Sequence, residues 1–282
     1  MFNIPTYLIS LDDATLRRDR LVQHGLNRKL VDDFISATDC RSLSGSELKK
    51  HYQSYVFFKT YGHNASPGEI GCSLSHRKIY ESIVENDIPL ALILEDDVIP
   101  VKTSKKKINE LIKELSPLTT DGQSFICHLG IVQYPSGSMV FFKEPFKSIK
   151  RMKKIWRLNP TNSKLWLAHA YLISNSAAKK ILTSEPEVSL VADDWSRRIE
   201  KGVLQHVFYT APLFRQDLDA ESQIGNSRFI NGLNPMKKDS FKEKVKKVIS
   251  YNMVFFLYFI ARPKFKVINI GTTPKTTIIL KS

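Results

Sequence analysis

The sequence is poor in the features that mark several large classes of protein. Its three cysteines (Cys40, Cys72 and Cys127) lie far apart, in odd number and in no metal-ligand spacing. This favours free thiols in a reducing cytoplasm. The most apolar run, Met253 to Ile260, is far shorter than the roughly 20 residues of a membrane-spanning helix. The first eleven residues have neither the basic start nor the apolar stretch of a signal peptide. We therefore expect a cytoplasmic chain that does not span a membrane.

Charge is unevenly distributed along the chain. The net charge is +14, and residues 237–282 contain eleven Lys or Arg against two acids, which leaves only +5 for the rest. The basicity therefore belongs to a tail. We expect one catalytic domain over residues 1–236 and a basic amphipathic tail over residues 237–282.

Strand-like and helix-like segments alternate through the predicted domain. Apolar runs predict strands at residues 6–11, 34–37, 90–94, 124–129, 139–143, 170–173 and 207–210. Helices are predicted at residues 14–24 (capped by Asp12 or Asp13), 66–86, 174–184 and 193–201, and a loop at residues 40–65. This alternation predicts an α/β fold with a mainly parallel central sheet.

Three carboxylates follow the most apolar predicted strand. Glu95, Asp96 and Asp97 come directly after Leu90 to Leu94, and ligands of open α/β sheets bind beyond the carboxyl ends of strands. Side-chain alternation would direct Glu95 and Asp97 to one divalent cation and Asp96 to a sugar hydroxyl or a basic partner. The alternative is a solvated acidic turn.

A glycine-containing helix start precedes this motif. Ser66 and Glu69 have the spacing of a capping box, with Pro67 at the first helical position. Gly68 and Gly71 would leave backbone amides accessible to an anion, or would only permit close packing. His76, on the same helix, is by type more often structural than a ligand.

An aspartate pair marks the last candidate element. Asp193 is placed to cap the short helix that follows, and an aspartate there can also act as a general base. Asp194 beside it leaves the choice of base open.

Four blocks in this order resemble glycosyltransferase family 25, the lipooligosaccharide-biosynthesis galactosyltransferases and their relatives. They are Tyr7 to Leu11 with Arg17-Arg18, Gly68 to His76, Leu92 to Val98, and Ala170 to Ser174 with Ala192-Asp193 downstream. The resemblance covers roughly residues 4–235. It implies a GT-A-type fold, Mn²⁺ (or Mg²⁺), inversion at the anomeric carbon and a UDP-sugar donor, with galactose before glucose. Leu167-Ala168-His169 stands where many relatives have a Gly-Thr pair.

The expected site follows from these motifs and the resemblance. Donor-binding residues are Ile9, Ser10, Leu11, Arg17, Arg18, Gly71, Ser75, His76 and Asp96; metal ligands are Glu95 and Asp97; the base is Asp193 or, second, Asp194. The implied acceptor is a lipooligosaccharide or other oligosaccharide glycan.

Other functions are compatible with parts of the sequence. A basic nucleic-acid- or membrane-binding module would explain the charge but not the acidic motif, and we expect no nucleic-acid partner. Metal-dependent phosphoryl transfer would share the carboxylates, but the P-loop pattern is absent. Residues 240–260 place lysines before aromatics, which is typical of a helix on an anionic membrane. The alternative is packing on the domain or on a second subunit. We expect a peripheral position on the inner face of a bacterial inner membrane.

Overall fold

The computed structural model describes residues 4–26, 31–100, 104–130, 138–140, 144–145, 155–157, 168–217, 265–269 and 277–281. The chain divides into two compact units, one of residues 1–132 and 144–225 and the other of residues 133–143 and 226–282. The second unit thus contains the predicted tail, residues 237–282, together with residues 226–236. It also includes an earlier segment that the sequence did not associate with the tail.

The first unit contains most of the described elements. Its strands are β1 (Thr6–Ser10), β2 (Asp33–Ser36), β3 (Leu90–Glu95), β4 (Val98–Pro100), β5 (Phe125–Gly130), β7 (Glu144–Pro145), β8 (Ile155–Arg157), β9 (Ala170–Ser174) and β10 (His206–Gln216). Its helices are α1 (Thr15–Gln23), α2 (Gly45–Leu48), α3 (Ser54–Tyr61), α4 (Pro67–Glu85), α5 (Ser104–Thr120), α6 (Asn175–Ser184) and α7 (Trp195–Glu200).

The central sheet has the order β2-β1-β3-β9-β5-β10-β8-β7, with β4 also paired to β10. Among the described pairings, β1 with β2, β1 with β3, and β5 with β10 are parallel, whereas β9 is antiparallel to both β3 and β5. The prediction of a mainly parallel sheet is therefore wrong, and the sheet is mixed. The reason is that β9 begins at the edge where β5 ends and runs back beside it, as an antiparallel neighbour does.

Despite β9, the strands β1, β2, β3, β5 and β10 all run in one direction. Their carboxyl ends therefore meet at one edge of the sheet, which is where ligands bind in open α/β folds. This edge receives the residues that follow β1, β2, β3 and β10, although those strands are far apart in sequence.

The core lies on both faces of the sheet. Leu90 to Leu94 in β3 are all buried, which confirms the prediction of a strand covered on both sides. Helix α4 packs Ile79 and Ile83 inward, and both are fully buried. Burying such side chains contributes about 1.5–3 kcal/mol each, so these two residues help to hold α4 on the body of the first unit.

The predicted helix boundaries were partly right. At α4 the capping box of Ser66 and Glu69 is present, with Pro67 in the first turn. At α1 the cap prediction is wrong, because the N-cap is Ala14 and no side chain caps the helix; the carboxylate of Asp12 instead accepts a hydrogen bond from Ser36. Residues 40–65 were predicted as loop but contain α2 and α3.

The second unit contains β6 (Ser138–Val140), β11 (Phe265–Asn269) and β12 (Thr277–Lys281). Strands β11 and β12 are antiparallel, and β12 pairs in parallel with β6. The described part of the predicted helical tail is therefore strand. The helix predicted within residues 240–260 lies outside the described residues. Among the helices that the structure describes, none combines the length and the apolar character needed to cross a membrane.

Candidate active site

A cleft of about 360 Å³ opens at the edge where the parallel strands end. This volume is in the range of small-molecule sites. The residues that line it are Ile9, Ser10, Leu11, Arg17, Ala37, Thr38, Asp39, Cys40, Arg41, Pro67, Gly68, Gly71, Cys72, Ser75, His76, Glu95, Asp96, Asp97, Gln216 and Asp217. The cleft thus brings together every predicted donor-binding and metal-binding residue except Arg18.

The acidic motif does not follow the predicted side-chain alternation. Strand β3 ends at Glu95, and Asp96 and Asp97 form a turn before β4. Because alternation holds only within a strand, it does not separate the two aspartates. Both instead contact Arg17, from α1, through Asp96 Oδ1 at 2.5 Å and Asp97 Oδ2 at 3.4 Å. The basic partner predicted for Asp96 is therefore present, and it is shared with Asp97.

Burial and mutual repulsion perturb the two aspartates. Burial, followed by the charge of Glu95, raises the pKa of Asp97 to about 7, although Gln216 and Arg17 oppose the shift. Burial also raises the pKa of Asp96, against the charge of Arg17. Negative charge is therefore costly here without a further cation.

Two carboxylate oxygens in this motif have no hydrogen-bond partner among the described residues. They are Oδ2 of Asp96 and Oδ1 of Asp97, both buried. A buried carboxylate oxygen is normally satisfied, and hard divalent cations take such oxygens as ligands. The donor set therefore fits Mn²⁺ or Mg²⁺.

Glu95 is held from the opposite side by a buried hydrogen-bond chain. His76 Nε2 lies 3.1 Å from Glu95 Oε1, His76 Nδ1 lies 2.8 Å from the Tyr171 hydroxyl, and that hydroxyl lies 2.8 Å from the Tyr80 hydroxyl. Burial alone would raise the pKa of Glu95, but the hydrogen bond and charge of His76 lower it. His76 thus connects α4, β3 and β9, and it also lines the cleft.

Gly71 has a packing role that does not require a ligand. A Cβ atom at this position would lie 2.5 Å from the backbone oxygen of Thr38. Nearby, Ser75 Oγ donates to the Gly71 carbonyl and accepts from the Thr38 amide at 2.8 Å. At the helix start, Glu69 accepts from the amide and hydroxyl of Ser66, so the first turn already has an anion. The close-packing interpretation of the glycine therefore has direct support.

Arg18 does not line the cleft. Its guanidinium donates to the Ser10 hydroxyl and to the carbonyls of Leu11 and Asp12, and it lies 5.0 Å from the ring centroid of Phe34. Arg18 therefore fixes the chain where β1 ends, whereas Arg17 faces the cleft.

Comparisons with known proteins bear on this geometry. The family model described as glycosyltransferase family 25 (LPS biosynthesis protein) matches residues 3–196. The chain belongs to glycosyltransferase family 25. The match includes the acidic motif, the α4 block and both candidate bases; it does not include Gln216 and Asp217.

Several curated relatives are similar over about the same part of the chain. Procollagen galactosyltransferase 2 of Mus musculus is 24% identical over 64% of this chain and 27% of its own length. Procollagen galactosyltransferase 1 of Danio rerio is 26% identical over 64% of this chain and 28% of its own. Inactive glycosyltransferase 25 family member 3 of Mus musculus is 25% identical over 64% and 29%. The chain thus spans little more than a quarter of the relatives that it matches.

The aspartate pair of this family 25 chain lies outside the residues that line the cleft. Asp194 caps α7, accepts a hydrogen bond at 2.7 Å from the Tyr61 hydroxyl and forms a 2.7 Å ion pair with Arg197. The sequence favoured Asp193 as the cap, and this is wrong, because the helix begins one residue later. Both oxygens of Asp194 are engaged, which disfavours it as a base.

Sequence reasoning missed two residues at the end of β10. Gln216 Nε2 donates to Asp97 Oδ2 at 2.9 Å, and the Asp217 amide donates to the Asp97 carbonyl at 2.6 Å. Asp217 also contacts Arg20 at 3.4 Å. Two polar residues at the end of a strand would have indicated a place in the site. The strand was predicted to end at Thr210, six residues before its observed end at Gln216.

Proposed function

We propose that this family 25 chain transfers a hexose, galactose before glucose, from a UDP-sugar to a glycan acceptor with inversion at the anomeric carbon. The observation that supports this most directly is the acidic motif in the cleft. Its buried oxygens on Asp96 and Asp97 have no partner among the described residues. A nucleotide-sugar brings a diphosphate, which needs a cation at such a site.

The cation would be Mn²⁺ or Mg²⁺. Asp97 and Glu95 are the ligands that the sequence predicted, and the structure adds Asp96 Oδ2 as a third candidate oxygen. When bound, the cation would supply positive charge opposite the leaving diphosphate. Of the chain's own residues, Arg17 orients Asp96 and Asp97 through its contacts with both carboxylates.

The nucleotide would lie along the end of β1. Ile9, Ser10 and Leu11 line the cleft, and Arg18 holds the carbonyls of Leu11 and Asp12. These hydrogen bonds from Arg18 fix the backbone at the end of β1, where the base or the ribose of the nucleotide would bind. Gly71, Ser75 and His76 would form the opposite wall.

The chemical step would be a single displacement. The acceptor hydroxyl forms a bond to the anomeric carbon as the bond from that carbon to the diphosphate oxygen breaks, and the electron pair leaves with UDP. The base proposed for the hydroxyl proton is Asp193, which the family resemblance favours; it is buried and lies outside the residues that line the cleft. One base suffices, since no covalent intermediate forms.

The acceptor is proposed as a lipooligosaccharide-type glycan, in keeping with the family description. The relatives named above are procollagen galactosyltransferases, and another is named inactive. Use of a galactose donor is therefore what we carry over from the named galactosyltransferases, and because another relative is named inactive, turnover by this chain has to be measured.

Equilibrium binding and turnover test this proposal. We expect UDP to bind in the presence of Mn²⁺ and more weakly after chelation, whereas ADP and duplex DNA bind poorly under both conditions. UDP should be released from UDP-galactose in the presence of a panel of mono- and disaccharide acceptors. Asp97→Asn should abolish the effect of Mn²⁺ on UDP binding.

Two results would replace the proposal. Tight DNA binding that is independent of Mn²⁺ would favour a basic binding module, and metal-dependent binding that prefers ADP would favour phosphoryl transfer. Metal-dependent UDP binding without UDP release for any acceptor would reduce the function to donor binding.

A further inference from the structure

A thiol, an imidazole and a carboxylate converge on one wall of the cleft. The ligand atoms of Cys72, His76 and Glu95 all lie within 4.8 Å of one another. Cys72 and His76 are four residues apart on α4, a spacing that places two side chains on the same helix face. Glu95 reaches them from the end of β3, and all three residues line the cleft.

The hydrogen bonds of His76 suit a metal ligand. Its Nδ1 lies 2.8 Å from the hydroxyl of Tyr171, which lies 2.8 Å from the hydroxyl of Tyr80, and either tyrosine oxygen can be the donor. The Tyr171 hydroxyl can therefore accept a hydrogen bond from Nδ1–H, and in that tautomer Nε2 gives up its hydrogen bond to Glu95 and has a lone pair free for a metal. Metal-binding histidines typically have their second nitrogen fixed in this way.

We propose that Cys72, His76 and Glu95 form a Zn²⁺ site with an open fourth position. Thiolate, imidazole and carboxylate are the ligands that zinc takes in proteins, and three protein ligands are usual when one position stays exchangeable. Zinc–ligand bonds of about 2.0–2.3 Å separate ligand atoms by roughly 3–4 Å, so small side-chain rotations suffice. On binding, Cys72 loses its proton to solvent.

The ligand set discriminates between metals. A thiolate favours zinc over Mn²⁺ and Mg²⁺, which prefer oxygen ligands. The Zn²⁺ site therefore shares Glu95 with the hard-cation site proposed at Asp96 and Asp97 and takes its other two ligands from α4. The inference stands on the geometry of the three side chains and does not require that the chain transfers sugar.

Metal binding to the full-length, untagged chain tests the site. After chelator treatment and desalting, Zn²⁺ is titrated in competition with a chromophoric chelator. We expect the wild type to bind Zn²⁺ in the cleft and Cys72→Ser to bind it at least about tenfold more weakly, because losing even a residue that only supports a ligand typically costs about 10–100-fold. Cys127→Ala is the matched control, because it removes a buried thiol that does not line the cleft.

Co²⁺ provides a readout that needs no variant. Bound to the wild type, it should show a thiolate-to-cobalt charge-transfer band that Cys72→Ser and not Cys127→Ala abolishes. Asp97→Asn should retain normal Zn²⁺ affinity. The proposal is overturned if the wild type shows no such band, if Cys127→Ala and Cys72→Ser lose affinity equally, or if Asp97→Asn removes Zn²⁺ binding and thereby moves the site to the acidic motif.

Discussion

The guanidinium of Arg17 lies 2.5 Å from Oδ1 of Asp96. This contact joins α1, which follows β1, to the turn that follows β3, and the pair is largely buried. The positive charge of Arg17 thus offsets part of the repulsion among the carboxylates when no metal is bound. Arg17 also lines the cleft, so it brings a positive group to the place where we propose that the diphosphate binds.

We expect Arg17→Gln to lower the free energy of unfolding by about 1–3 kcal/mol, the cost of removing a hydrogen bond to a buried charge. UDP affinity should fall as well. Arg20→Gln is the matched control, since Arg20 lies on the same helix but is half exposed and 3.4 Å from Asp217; such pairs contribute about 0–1 kcal/mol. Urea unfolding with chelator present measures both variants, and equal losses would contradict the role given to Arg17.

Asp97→Asn should change the pH dependence of stability in metal-free protein. The pKa of Asp97 is raised to about 7 from 3.8, so the folded state binds the proton more tightly than the unfolded state. Wild-type stability therefore falls as pH rises from about 4 to about 7, by at most about 1.4 kcal/mol per pH unit from this group. Asn mimics the neutral acid, so the variant should gain on the wild type over this window. A stability difference that does not change with pH would argue against the shift.

Gly71→Ala should lower the free energy of unfolding by about 1–3 kcal/mol through overpacking, because its Cβ would meet the Thr38 oxygen. Gly45→Ala, in α2, meets nothing within 4 Å and should be neutral or stabilising by up to about 1 kcal/mol. Denaturant unfolding compares the two. If Gly71→Ala is as stable as wild type but loses UDP affinity, the glycine serves the ligand and not the packing.

The parts of the fold that local patterns specify were predictable. The capping box at Ser66 and the apolar run from Leu90 give α4 and β3 nearly their observed bounds, because caps and buried runs are local signals. The carboxylates were found for the same reason. Helix α5 is not among the predicted helices, and it contains Pro117, a residue that usually ends a helix.

The incorrect predictions concern features that depend on contacts between residues far apart in the sequence. The direction of β9 depends on where β5 ends, which no pattern within Ala170 to Ser174 encodes. The contact of Gln216 with Asp97 joins residues more than a hundred positions apart. The assignment of Asp194 as the cap depends on Tyr61 and Arg197, and a shift of one residue in the helix start exchanges the roles of the aspartate pair.

Association with anionic membranes remains a prediction for the basic tail. Deleting residues 237–282 is an ambiguous test, because it removes β12 and with it a pairing partner of β6. Replacing Lys242, Lys246 and Lys247 with Gln is sharper, since each lysine near an anionic surface contributes about 1 kcal/mol. The control replaces Lys105, Lys106 and Lys107 in α5. Co-sedimentation with phosphatidylserine-containing vesicles at low salt should fall for the tail variant alone; equal binding by both variants and the wild type would exclude a role for these tail lysines.

The aspartate pair offers the clearest separation of a chemical role from a structural one. Asp193→Asn should lower turnover of UDP-galactose by about 10²–10⁴-fold, the usual contribution of a general base, with UDP affinity unchanged. Asp194→Asn should retain turnover within a few-fold, because Asn still caps α7 and still accepts from Tyr61. It should instead lose about 1–3 kcal/mol of stability with the charge that faces Arg197. Steady-state kinetics and urea unfolding on the same two variants distinguish the roles. If Asp194→Asn loses turnover without losing stability while Asp193→Asn stays active, the base is Asp194 and its contacts with Tyr61 and Arg197 must open during the reaction.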